Sequence, residues 1–373
     1  MNLEGFVADG YGAVRQVFEG FLNDGRETGA GLSVWRDGRE VAQLSGGWAD
    51  AERRRPWRSD TLVHTYSVSK PFAALAALVA VKNGALSLDE PIGNYWREYA
   101  TNGKEQTTLR QILSHQAGQP AFPSSAAEID LLDDVKLREA LAASAPEYTP
   151  GTSLGEHSLT YGHLIDGVLR ASTGMSLGQV YADMVRLVLE LDAWFGVPAD
   201  ELYRVADLEY SDPEWPHRLT ADLPPQVRQA LTIPPGALGV HRLNTAGWRQ
   251  AVFGAINLHA TATAIARFYS DLANPTGRVG DLLGSELHSQ YIGPQMTGYD
   301  EIFGATITWA LGFVRDASKI AKGGLGGSAS WWSIKHRHAC AYLTRRLDDL
   351  SRATEIAAVL GDDLSLGEGH WYK

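Results

Sequence analysis

Strand-like segments at the two ends of the chain, with helical periodicity between them, constrain this fold more than any single motif does. Near the start, Gly31–Arg36 and Arg39–Leu44 flank Asp37-Gly38, a dipeptide whose tolerance of positive φ suits a two-residue type I′ hairpin. Towards the far end, Thr306–Val314, Ser328–Ile334 and Ala339–Leu343 are rich in aromatic and branched residues and read as strands. Between them, Ser67–Lys82, Thr108–Ser114, Tyr161–Ser172 and Leu177–Leu191 carry apolar residues at helical spacing, with Thr108 and Ser176 as candidate N-caps. Sequence-distant strands enclosing a run of helices predict an α+β fold: an antiparallel sheet flanked by helices and built from both termini, with an all-helical domain inserted. The expected division is 1–66 with 255–373 for the sheet domain and 67–254 for the helical one. Residues 193–250 are Pro-rich and aperiodic, and are expected to form a long excursion that acts as a lid or a subunit contact.

Charge and composition exclude several function classes. Of 373 residues, 33 are Lys or Arg and 44 are Asp or Glu, a formal charge of −11, so the basic footprint of a nucleic-acid binder is missing. The longest apolar stretch runs only from Phe72 to Val81, well short of the ~20 residues that span a bilayer. The first residues lack the basic and apolar regions of a secretory signal, so the expected compartment is the cytoplasm. A single cysteine, Cys340, allows neither an intrachain disulfide nor a thiolate zinc cluster. No metal or organic cofactor is expected.

Chemistry concentrates at Ser67-Val68-Ser69-Lys70, which opens the most apolar predicted helix. Residues i and i+3 share a helical face, so Ser67 Oγ and Lys70 Nζ can meet. A serine hydroxyl needs a neighbour to take its proton, and a desolvated lysine can do so. Pro71 falls in the first turn, where its missing N–H costs nothing.

Alone, this motif is common by chance. Read together with Gly46-Gly47-Trp48-Ala49-Asp50 and Pro56-Trp57, Leu113-Ser114-His115-Gln116-Ala117-Gly118, and Lys322-Gly323-Gly324-Leu325-Gly326-Gly327-Ser328, it resembles the serine β-lactamase and penicillin-binding-protein superfamily. The likeness is strongest to the class C-like carboxylesterases, the family VIII esterases, and covers the chain from about Gly5 to Leu347. It implies a β-lactamase/transpeptidase-like fold with the active site between sheet and helical domain. It also implies an acyl-enzyme on Ser67, Lys70 assisting its deprotonation, and an oxyanion hole from the backbone N–H groups of Ser67 and Leu325. Lys322, Gly323 and Gly324 fill the slot of the superfamily's K-T-G or H-x-G triplet, where glycine admits the substrate closely and Lys322 could bind a substrate carboxylate.

The chain departs from that pattern after Pro150-Gly151-Thr152. The esterase branch resembles G-Y-H-A-L-T-Y-G there, so register puts Glu156 where the catalytic tyrosine belongs and Tyr161 at the second, structural tyrosine. Two readings stay open: Glu156 is the replacement base, or Tyr161 reaches the site through a changed loop. His157, next to Glu156, is a secondary candidate as orienter or proton carrier; Trp331 and Trp332 alternate across a sheet, so one of them can face the cleft, and Trp331 is carried as a candidate substrate contact.

Other signals carry less. Gly151-Thr152-Ser153-Leu154-Gly155 matches G-x-S-x-G but follows a proline rather than a buried strand. The glycines at 323–327 do not complete a dinucleotide fingerprint, and His336 and His338 are expected as exposed hairpin residues rather than metal ligands. The function expected is hydrolysis of a small-molecule ester or amide. The alternatives are transfer of the acyl group to an amine or alcohol, a ligand-binding homologue without turnover, and β-lactam hydrolysis, disfavoured by the altered tyrosine. No nucleic-acid or membrane partner is expected, and association between copies is left open.

Overall fold

The computed structural model describes residues 2–365; the end of the predicted sheet domain, 366–373, lies outside them. Nine strands form one antiparallel sheet: β1 (Leu3–Val7), β2 (Gly29–Arg36), β3 (Arg39–Gly47), β4 (Met296–Asp300), β5 (Ala305–Trp309), β6 (Val314–Arg315), β7 (Lys319–Gly323), β8 (Ala329–Ser333) and β9 (His338–Thr344). Their spatial order is β1-β3-β2-β9-β8-β7-β6-β5-β4, so β2 from the start of the chain is hydrogen-bonded to β9 from its end. The predicted hairpin forms with both turn residues at positive φ, Asp37 at 53° and Gly38 at 77°, as a type I′ turn requires.

Alternation along the strands divides the core in two. On one face Leu32, Val34, Trp331, Cys340 and Tyr342 pack with α1 (Gly12–Asn23) and with the C-terminal helix Ser351–Val359. On the other face Ala339, Ala341 and Leu343 belong to a larger core shared with the helices. At its centre is α2 (Lys70–Lys82), buried from Lys70 through Ala80; a helix apolar on all sides has to be enclosed on all sides. Around it lie α3 (Leu109–Leu113), whose predicted cap Thr108 forms a reciprocal capping box with Gln111, α4 (Tyr161–Thr173), and α5 (Ala262–Leu272), which lies against β2, β8 and β9. Among the described residues, no helix is long and apolar enough to cross a membrane.

Several expectations need correction. The stretch Thr306–Val314 is two strands, because the chain turns at Gly312 (φ 92°), where a Cβ would sit 3.1 Å from Tyr161 Oη and 3.2 Å from Ala74 Cβ. His338 is buried, and both it and His336 hydrogen-bond Asp362 (3.4 and 2.9 Å) rather than lying exposed. Strands β1 and β4 add to the expected set, and β1 is an edge strand exposed at its centre.

Candidate active site

Ser67 lies on a 3₁₀ turn, Tyr66–Ser69, that runs directly into α2. The residue before it, Tyr66, has φ 48°, a conformation non-glycine residues adopt at a cost and which clusters at functional sites. The turn is held by Ser69, whose hydroxyl donates to Tyr66 O (2.5 Å) and accepts from Leu258 N (2.9 Å). Lys70 Nζ, fully buried, stands 2.8 Å from Ser67 Oγ and also donates to the carbonyls of Ser158 (3.0 Å) and Ala255 (3.3 Å). Burial disfavours its charged form and draws its pKa down to about 7, against an opposing pull from Glu156. Both protonation states are therefore populated near neutral pH.

Glu156 Oε1 lies 2.6 Å from Lys322 Nζ and 3.7 Å from Lys70 Nζ. Burial by itself would raise its pKa, but the two ammonium groups outweigh that and hold it below the ordinary value, so it is a carboxylate at neutral pH. Lys322 projects from β7, on the sheet face it shares with Ser330, and is engaged by Glu156 and by the Trp309 ring, 4.5 Å from its centroid. The ammonium expected to meet a substrate carboxylate already has one.

The loop after β7 closes over the Ser67 turn. A Cβ at Gly324 would fall 2.3 Å from Thr65 O, so only glycine allows this approach. Ser67 and Leu325 both border a cavity of about 440 Å³, together with Glu156, Lys322, Gly323 and Gly324. Among the described residues, neither the Ser67 nor the Leu325 backbone N–H donates a hydrogen bond within the chain. The excursion at 193–250 supplies much of the remaining wall through Trp215, Leu219, Leu223, Leu231 and Leu238.

Three expected residues are placed elsewhere. Tyr161 is fully buried at the start of α4, its hydroxyl donating to Leu113 O at 3.1 Å, and burial pushes that phenol well above its ordinary pKa. It does not border the cavity. His157 is also buried outside the cavity lining, with Nδ1 2.8 Å from Gly155 O; burial lowers its pKa to about 4, which leaves it neutral at pH 7. Trp331 points to the opposite face of the sheet, where Nε1 donates to Asp362 (3.0 Å). Its neighbour Trp332 has the other orientation, as alternation demands, but borders a separate groove beside Trp35 and Phe268. Conversely, Asp300 and Trp309 support the site without any sequence signal: Asp300 Oδ1 accepts from Glu156 N (2.9 Å) and Oδ2 from Trp309 Nε1 (2.8 Å).

A family profile described as Beta-lactamase matches residues 14–362. The chain belongs to the Beta-lactamase family. Among its relatives is the Esterase/beta-lactamase LipL of Mycobacterium tuberculosis, 30% identical over 278 residues, 71% of this chain and 63% of that protein. Esterase EstB of Burkholderia gladioli is 30% identical over 178 residues, 43% of this chain and 45% of that protein. The chain thus matches less than two thirds of the length of either curated relative. A crystal structure of a family VIII carboxylesterase superposes with a TM-score of 0.83 at 30% identity, covering 97% of this chain and 99% of that one. The Beta-lactamase-like architecture expected from the sequence, a mixed helical and antiparallel-sheet fold, is the one observed.

Proposed function

We propose that this Beta-lactamase-family protein is a serine carboxylesterase that cleaves small, neutral esters through an acyl-enzyme on Ser67. The observation that carries the reading is the 2.8 Å contact between Ser67 Oγ and a buried lysine whose pKa is drawn to about 7. In its neutral form Lys70 Nζ takes the Ser67 proton while Oγ bonds to the ester carbon. The carbonyl electron pair moves onto oxygen, where the Ser67 and Leu325 amides receive it; one such donor is typically worth about 3–4 kcal/mol in the transition state. The tetrahedral intermediate then collapses, the alkoxide leaves, and Lys70 returns the proton to it.

Deacylation repeats the sequence with water. Glu156, ionised and bordering the cavity, accepts a proton from the attacking water, and Lys70, which stands between Glu156 and Ser67, relays a proton to Ser67 Oγ as the acyl group departs as the acid. Tyr161 takes no part. A neutral substrate fits because Glu156 already occupies the Lys322 ammonium, and the apolar wall around Trp215 and Leu231 suits an uncharged acyl or alcohol group.

Glu156→Gln tests the division of labour. With p-nitrophenyl butyrate it is expected to release about one equivalent of nitrophenol rapidly and then turn over at least about a hundredfold more slowly than wild type, with butyryl-enzyme visible by intact mass. Wild-type steady-state turnover in Glu156→Gln would contradict the assignment.

A further inference from the structure

We infer that Asp300 is a positioning residue for this reaction: one of its carboxylate oxygens fixes the backbone that carries Glu156, and the other fixes the indole against which Lys322 rests. The inference rests on the catalytic reading of Glu156 given above. Asp300, fully buried, closes β4 at the far edge of the sheet from β1. Its Oδ1 accepts from three backbone amides, Glu156 (2.9 Å), Ile302 (3.0 Å) and Phe303 (2.8 Å), and its Oδ2 accepts from Trp309 Nε1 (2.8 Å). Both arms end on the same ion pair. Through the first, the main chain of Glu156 is tied to a strand 144 residues away in sequence. Through the second, the buried Trp309 ring is held with its centroid 4.5 Å from Lys322 Nζ, and that ammonium is 2.6 Å from Glu156 Oε1.

A carboxylate suits this position because it is acceptor-only, and all four groups aimed at it are donors. An asparagine has the same size but one acceptor oxygen and an NH₂ that would face N–H groups. Burial, with the Glu156 charge, raises the Asp300 pKa against the pull of its N–H donors; the other ionisable groups around the cluster are Lys70, Lys322 and Glu156, with His115 and His157 buried and neutral behind them and Tyr148 nearby. A Glu156–Lys322 pair that loosens also changes the field at Lys70, whose protonation governs acylation.

The test is Asp300→Asn, alone and combined with Glu156→Gln, assayed with p-nitrophenyl butyrate across pH and paired with thermal melting. Asp300→Asn is expected to lower kcat about tenfold or more with KM little changed, and to displace the acid limb of the kcat/KM profile. Combined with Glu156→Gln it should add almost nothing, because both act on one group. Trp309→Phe keeps an aromatic ring but removes the N–H to Asp300 together with part of the indole packed against Lys322, and should give a smaller effect in the same direction. It also decides the matter if Asp300→Asn does not fold, since a wild-type kcat and pH profile in Trp309→Phe would overturn the inference. So would a folded Asp300→Asn with wild-type kinetics, or losses that simply add in the double variant. A fully active Glu156→Gln would instead refute the deacylation role; Asp300 is then judged on Asp300→Asn alone, where impaired kcat at unchanged Tm supports positioning through Lys322 and wild-type kcat overturns it.

Discussion

On the α1 side of the sheet Glu27 meets Arg352; on the other side Glu156 meets Lys322 and Lys70. Both groups are almost entirely shielded from solvent. Glu27 uses both oxygens fully: Oε1 accepts from the amides of Thr28 (2.7 Å) and Gly29 (2.9 Å), and Oε2 from Arg352 Nη1 (2.6 Å) and the Tyr342 hydroxyl. Arg352 also donates to the carbonyls of Arg26 (3.2 Å) and Arg346 (2.7 Å). A guanidinium in this setting never loses its proton, and the neighbouring negative groups raise its pKa further despite burial. Lysine in place of arginine makes the other cluster different. One ammonium, Lys322, is neutralised by Glu156, while the second, Lys70, lies farther from the carboxylate and is brought within reach of neutrality by desolvation. Permanent charge ties the start of β2 to the C-terminal helix; on the proposed mechanism, a removable proton is what lets the other cluster act on Ser67.

The largest expected effect removes that removability. Lys70→Arg keeps a cation beside Ser67 that cannot act as a base, and kcat/KM for p-nitrophenyl butyrate should fall by about 10³-fold or more; activity within tenfold of wild type would erase the contrast between the clusters. Arg352→Met leaves Glu27 buried without its partner and is expected to destabilise the protein by about 3–5 kcal/mol in urea unfolding, with turnover per folded molecule unchanged.

Lys70 should act on stability in the opposite sense. Its folded pKa, about 7, lies below the unfolded value of 10.5, so the unfolded chain binds the extra proton between the two. Stability from this group is then present above the unfolded value and is lost as pH falls through the folded one, where charge is forced into the core. Lys70→Met should therefore raise stability by about 1–4 kcal/mol below pH 7 and by less at pH 10, while wild-type kcat/KM rises with pH through about 7. The smallest effect belongs to Tyr161→Phe, which loses one buried hydrogen bond worth ~1 kcal/mol and should retain turnover within about twofold.

Much of this was legible in the residue order where the determinant is local. Asp37-Gly38 specifies its own turn, and the apolar run after Ser67 can only be an enclosed helix. Ser67 and Lys70 are one helical turn apart, so their contact follows from spacing. What was not legible depends on contacts distant in sequence. Alternation shows that Trp331 and Trp332 face opposite ways but not which face the helical layer covers, and neither borders the cavity at Ser67. Lys322 was expected to await a substrate carboxylate because its partner Glu156 lies 166 residues earlier. Asp300 and Trp309 carry no motif, and their contacts with the Glu156 backbone and the Lys322 ammonium join positions far apart in sequence.

Intact-mass spectrometry of wild type and Ser67→Ala after brief exposure to p-nitrophenyl butyrate, with nitrophenol release followed in parallel, addresses the central claim most directly. The account predicts one butyryl group on wild type, none on Ser67→Ala, and release that depends on Ser67. Equal nitrophenol release by the two proteins, or wild type that neither acylates nor turns over, would contradict a Ser67 acyl-enzyme and point to a binding protein on this scaffold.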